Sequence, residues 1–325
     1  MLRRMLLTAA AGSLAAPGLL RAQAGPWPSR PVRIIVPYAP GGASDIIVRP
    51  LTEGLEKAFG KPFLVDNRTG AGGSVGTAAG AMEKPDGHTL LVSNTGPLAI
   101  APALFPNLAY DPAKSFAWVA MLAGAPIACA VRGDGPIRSM QDYVAAARAK
   151  PEAVSFGSSG VGTLGHLTGV LFGMEAGVQM LHVPFRGAAE AQQAVLSGNT
   201  ESLWDTVGAN AAAIRAGGLR GLGISAQGRI AAVPGVPTLA EQGFPRVVAT
   251  NWFLLAAPAG LDPEIAAKLR LAVQEALAGA VVKERLEAAG IVSLGTPGAA
   301  EIGGFVAQEA ERWGKVVRSA GIKPA

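Results

Sequence analysis

Val32-Arg33-Ile34-Ile35-Val36-Pro37-Tyr38-Ala39-Pro40-Gly41-Gly42-Ala43-Ser44-Asp45 carries an apolar run into a Pro/Gly turn, after which Ser44 and Asp45 open a helix. It predicts a buried strand that stops where a helix begins. Such a junction aims free backbone N–H groups and the positive end of a helix dipole at one point, which suits an anion better than a reaction.

Upstream of this junction, residues 1–24 read as an export signal. Arg3 and Arg4 give the charged start, residues 5–20 are apolar and uncharged, and Ala22-Gln23-Ala24 is an A-x-A cleavage pattern. Pro17 and Gly18 interrupt the segment, which is too short to be a convincing membrane span. Arg3-Arg4-Met5-Leu6-Leu7 resembles the twin-arginine pattern, but no Ser precedes the arginines and Thr8 stands where a Lys is usual, so Sec and Tat export both stay open. Arg3, Arg4 and Arg21 leave with the signal, so the net charge falls from +5 to about neutral. No basic stripe with interleaved aromatics is left, which excludes nucleic acid as a partner. Cys129, the one cysteine, lies in the apolar run Ile127-Ala128-Cys129-Ala130-Val131 and reads as a buried, inert thiol.

About 300 mature residues exceed what one core serves, so two domains are expected. Two long apolar runs, 116–131 and 247–261, are broken by Gly or Pro and rich in strand formers. They mark where the chain leaves one domain and returns. Domain 1 is therefore expected to comprise residues 25–123 plus 250–325, and domain 2 residues 124–249. Within them strand and helix alternate, which predicts an α/β fold of two doubly wound domains with parallel strands. Strands are expected at 32–36, 63–65 and 89–93, then at 154–156, 180–183, 202–204 and 219–224, with a return strand at 251–257. Helices are expected at 45–59, 74–82, 140–149, 164–176, 188–196, 209–216, 263–277 and 299–319.

Domain 2 repeats the opening motif: Gly157-Ser158-Ser159-Gly160-Val161-Gly162-Thr163-Leu164-Gly165-His166 again joins a strand to a helix. Gly160, Gly162 and Gly165 satisfy G-x-G-x-x-G, but the next strand ends His182-Val183-Pro184-Phe185-Arg186 without the acid that a dinucleotide ribose needs. The glycines therefore read as permitting close backbone approach to a small ligand, and no cofactor is expected. Gly157-Ser158-Ser159-Gly160 is not a serine-nucleophile elbow. His88, His166 and His182 lack i, i+4 partners, so no metal site is expected. His166 reads as a local hydrogen-bonding residue ahead of a ligand donor or base, and Asp45 and Asp205 as capping or ligand-orienting residues.

Ordered motifs along the mature chain carry a resemblance. They are Trp27-Pro28-Ser29-Arg30-Pro31, the turn ending Pro40-Gly41-Gly42, Asp66-Asn67-Arg68 with Gly70-Ala71-Gly72-Gly73, and Lys84-Pro85-Asp86-Gly87-His88-Thr89-Leu90-Leu91. Gly162-Thr163-Leu164-Gly165-His166-Leu167, Val183-Pro184-Phe185-Arg186-Gly187 and Val233-Pro234-Gly235-Val236-Pro237-Thr238-Leu239-Ala240-Glu241 continue them. The chain resembles the substrate-binding proteins of tripartite tricarboxylate transporters, the Bug family. That resemblance implies a type 2 periplasmic binding protein fold closing on a small organic carboxylate, with no catalysis. It also implies a monomer that works in the periplasm with the membrane permease subunits of such a transporter. A sensor subunit acting on a membrane histidine kinase is the alternative.

By the same resemblance, Tyr38, Pro40, Gly41, Gly42, Ser44 and Asp45, with Ser93, Asn94 and Thr95, face the cleft from domain 1. Ser158, Gly160, Gly162, Thr163 and His166 face it from domain 2. Phe185, Arg186, Gly187 and Asp205 complete that wall. Arg186 stands where relatives carry Lys and reads equally as a grip on a distal carboxylate or as a solvated loop charge. Trp204 reads as strand packing rather than pocket wall.

Overall fold

In the computed structural model, which describes residues 27–151 and 154–322, the strand β1 (Val32–Val36) is flanked on both sides. The export-signal reading of residues 1–24 lies outside the described residues. Strands β2 (Phe63–Asn67) and β3 (Thr89–Asn94) pair with β1 in parallel, one on each side. A continuous Val/Ile run suits a strand covered on both faces. The helices α1 (Ala43–Phe59) and α2 (Ser74–Ala81) make the crossovers, and a short α3 (Ala101–Leu104) follows β3.

Strand β4 (Phe116–Arg132) is 17 residues long and belongs to both halves of the molecule. Its first part pairs with the return strand β9 (Thr250–Pro258), which in turn pairs with β3. From Ile127 onward it runs between β7 (Ser202–Thr206) and β8 (Leu219–Ile224). Beyond β7 come β5 (Ser155–Ser158) and β6 (Leu181–Pro184), giving the order β2-β1-β3-β9-β4-β7-β5-β6 with β8 also on β4. The second half carries α4 (Met140–Ala149), α5 (Leu164–Ala176), α6 (Ala188–Leu196) and α7 (Val207–Arg215). The chain then ends in α8 (Pro263–Ala278), α9 (Ala280–Ala288) and α10 (Ala299–Ser319).

Both halves are doubly wound α/β units, but their strands are not parallel throughout. Strands β4 and β9 run antiparallel to each other, β9 to β3, and β4 to β7 and β8. A strand that passes straight from one half to the other, and one that returns beside it, must point in opposite directions. The α9 helix has no counterpart in the sequence reading; Gly279 separates it from α8 and hides it as a loop.

This topology positions the site. In the first half β1 has β2 on one side and β3 on the other, and in the second half β5 has β6 and β7. Each is a topological switch point, where crossovers leave in opposite directions and open a crevice at the carboxyl ends of the strands. Trp204 closes the core behind the second crevice: it is fully buried, its ring lies 5.0 Å from that of Phe172, and its Nε1 donates to the Tyr143 hydroxyl. It packs and does not line the crevice. Cys129 is buried in β4, and burial raises its thiol pKa well above the ordinary value.

Candidate functional site

Where β1 ends, Gly42 caps α1 without a side-chain bond, and the amides of Asp45 and Ile46 both reach the Gly42 carbonyl. The first-turn N–H groups of Ala43 and Ser44 have no intrahelical acceptor. Asp45 does not cap the helix but braces the turn before it, since its Oδ2 accepts from the Gly41 N–H at 3.1 Å and from Arg49 Nε at 2.8 Å. Across the cleft, Thr163 caps α5 and Thr206 caps α7, while Gly187 precedes α6.

These four helix starts meet at one small cavity of about 40 Å³. Ala43 and Ser44 of α1, Leu164 and Gly165 of α5, Gly187 and Ala188 of α6, and Thr206 of α7 all line it. Each helix start is equivalent to roughly half a positive charge, so four of them form an anion site. Among the described residues, no Lys, Arg or His lines this cavity, and Asp205 is its one acidic residue. The volume admits a few water-sized groups, about the head of a carboxylic acid.

A second cavity of about 660 Å³ adjoins the first at Tyr38 and Ser159, which line both. Its wall is apolar and aromatic at Pro37, Phe105, Val161, Pro184 and Phe185, with Arg186 and Glu190 as its charged residues. Arg186 is exposed, and its backbone N–H donates to Glu190 Oε2 at 3.0 Å. The inner cavity thus suits a head group, and the outer one a longer body.

Ten of the residues expected at the site line these cavities. Tyr38 lines both; Gly42, Ser44, Asn94, Thr163, Gly187 and Asp205 line the inner one, and Gly160, Phe185 and Arg186 the outer one. Burial raises the Tyr38 phenol, which stays neutral and donates toward Gly72 O at 2.8 Å and Asn94 Oδ1 at 3.0 Å. Asp205 is 6 % exposed, and burial raises its pKa although its Oδ1 accepts the Thr206 N–H at 2.7 Å.

The other eight line neither cavity. Pro40 and Gly41 lie on the exposed outside of the turn, where Gly41 supplies a positive φ of 89°. Ser93 pairs with Thr77 Oγ1 at 3.1 Å, and Thr95 Oγ1 accepts the Trp252 N–H at 3.2 Å, tying β9 to the end of β3. Ser158 Oγ meets His182 Nε2 at 2.7 Å, and the Gly162 N–H donates to His166 Nδ1 at 3.2 Å. Asp45 braces the turn ahead of α1, as described above. His166 and His182 stack at 3.8 Å; burial lowers His166 to about 4 and His182 to about 3, the second also by repulsion from the first. Both are neutral structural rings. The Nδ1 of His166 is occupied as an acceptor within its own loop.

Several wall residues escaped the sequence reading. Asn251 and Phe253 of β9 line the inner cavity, as does Ile127 of β4, and Thr69 to Gly73 line the outer one. Gly70-Ala71-Gly72-Gly73 was visible as a glycine cluster; Asn251 carried no local signal. A Cβ on Gly72 would lie 2.2 Å from Val161 O, and one on Gly187 would lie 3.5 Å from Ala39 Cβ. The two halves therefore touch at the cleft mouth.

The chain is similar to known proteins over most of its length. A family model described as "Tripartite tricarboxylate transporter family receptor" matches residues 47–322. Protein BugT of Bordetella pertussis is 36% identical over 299 residues, 91% of each chain. MatC of Rhodopseudomonas palustris, solved with bound malate, superposes with a TM-score of 0.84 at 32% identity, covering 90% of this chain and 100% of that one. Another R. palustris protein, solved with adipate, gives 0.87 at 30% identity, covering 92% of this chain and 100% of that one.

Proposed function

The chain belongs to the tripartite tricarboxylate transporter family receptors, solute-binding proteins and not enzymes, and from that premise we propose that it captures a small organic carboxylate and delivers it to a membrane permease. The observation that carries this reading is the convergence of four helix N-termini on one cavity with no cationic side chain among its described lining residues. Backbone N–H groups hold the carboxylate there, and the aromatic outer cavity takes the rest of the molecule. Relatives solved with malate and with adipate support an acid as ligand.

The leader pattern of residues 1–24 supports export to the periplasm with cleavage near Ala24. Domain 1 comprises residues 25–123 plus 250–325 and domain 2 residues 124–249, so β4 and β9 are the crossing strands. Both walls of the cleft come from one chain, and a monomer suffices for capture.

A thermal-shift screen of the mature protein against mono-, di- and tricarboxylates, acidic amino acids and aromatic acids tests the reading. An acid at 100 times its dissociation constant should add about 2.7 kcal/mol of stability. A melting point that moves with neutral sugars or nucleotides but with no acid would overturn it.

A further inference from the structure

Two acceptors line the inner cavity without a donor at good hydrogen-bonding geometry among the described residues. Asp205 Oδ2 and Asn251 Oδ1 are buried and have no hydrogen-bond partner among the described residues. Both residues line the cavity, Asp205 at the end of β7 and Asn251 on the crossing strand β9. A buried acceptor without a donor is destabilising, so these atoms need a donor from whatever fills the space. Among the side chains nearby, the Thr163 hydroxyl donates to Gly160 O at 2.8 Å, Asn94 Oδ1 accepts from Tyr38 and from the Gly96 N–H, and Ser159 is the one neighbour that approaches the Asp205 carboxyl as a donor.

A bare carboxylate brings only further acceptors. It answers the four helix starts but leaves the Asp205 side of the cavity with oxygen facing oxygen. Resting on the carboxylate reading above, we infer that the ligand of this cleft carries a hydroxyl or ammonium group on the carbon next to its bound carboxylate, and that Asp205 and Asn251 receive that donor. The size of the cavity points the same way. About 40 Å³ holds little more than the head of the acid, so a donor that reaches Asp205 and Asn251 sits close beside the carboxylate while the body extends past Tyr38 and Ser159 into the outer cavity. A site built to bond a donor rejects the analogue that lacks it, because its own acceptors stay unpaired.

Two matched triads test this by calorimetry: succinate, malate and aspartate, and 3-phenylpropionate, 3-phenyllactate and phenylalanine. In at least one triad, a substituted acid should bind at least tenfold tighter than its unsubstituted parent. A preference for the hydroxy over the amino acid, or the reverse, identifies the donor. Asp205→Asn, its folding checked by thermal melting, should shrink that preference to within about threefold. Equal affinities within both triads, or a wider screen whose tight binders all lack a 2-hydroxy or 2-amino group, overturn the inference and leave the carboxylate reading standing. A screen in which no acid binds overturns the carboxylate reading itself.

Discussion

His166 and His182 show how a residue read as a functional candidate can be the structural support of the site. Their rings stack at 3.8 Å under the glycine loop, where Nδ1 of His166 accepts the Gly162 N–H. Protonation of that nitrogen replaces an acceptor with a donor and puts a charge in an apolar place. Both rings have pKa values lowered from 6.5, to about 4 and about 3, so between these values the folded protein binds fewer protons than the unfolded chain. Their contribution to stability is full above pH 6.5 and is lost as pH falls through 4 toward 3. Urea unfolding between pH 7 and pH 4 should show this loss. His182→Gln should remove up to one proton from the dependence, about 1.4 kcal/mol per pH unit. An unchanged slope in the variant would exclude the pair as its source. At this scale the sequence showed which residues surround the cleft but not which way they face. Ser93, Thr95 and Ser158 lie one layer behind the wall because their hydroxyls are bonded within the scaffold.

Helices and strands were more legible than side-chain roles, because their signals are local. The bounds expected for β1, α4, α5, α6, β8 and α10 coincide with those observed. Helix α5 is set by the Thr163 cap and the left-handed Gly177 that ends it, both visible as residue types. The convergence of α1, α5, α6 and α7 was not legible, since it depends on two switch points facing each other. It makes a firm prediction. Ser44 lies in the first turn of α1 and lines the inner cavity, 5 % exposed. In Ser44→Asp, a carboxylate placed among the helix starts substitutes for the ligand's own. The variant should fold, because an acid near a helix N-terminus is favourable, and should lose more than 100-fold in affinity for any acid that binds the parent. Retained affinity, measured by calorimetry, would mean that the anion sits elsewhere.

For the whole molecule, the decisive contact is the one between halves at the cleft mouth, which no stretch of sequence announces. The glycine cluster at residues 70–73 was legible as a motif, but its purpose depends on Val161 of the opposite half. Gly72 has a φ of 61°, and a Cβ there would approach Val161 O to 2.2 Å. Backbone cannot move aside as a flexible side chain can, so Gly72→Ala should hold the mouth apart. A receptor that binds in its closed form then loses affinity in proportion to the closed fraction. Two effects must be separated, because a left-handed alanine also costs about 1–2 kcal/mol in local strain. Gly177 supplies the control: it has a φ of 62° at the end of α5, and a Cβ there meets nothing within 4 Å. Gly72→Ala and Gly177→Ala should therefore lower the melting temperature by similar amounts. Only Gly72→Ala should weaken acid binding, by tenfold or more, and reduce the compaction that ligand produces in small-angle scattering. Equal affinity in the two variants would show that closure at Gly72 is not coupled to binding.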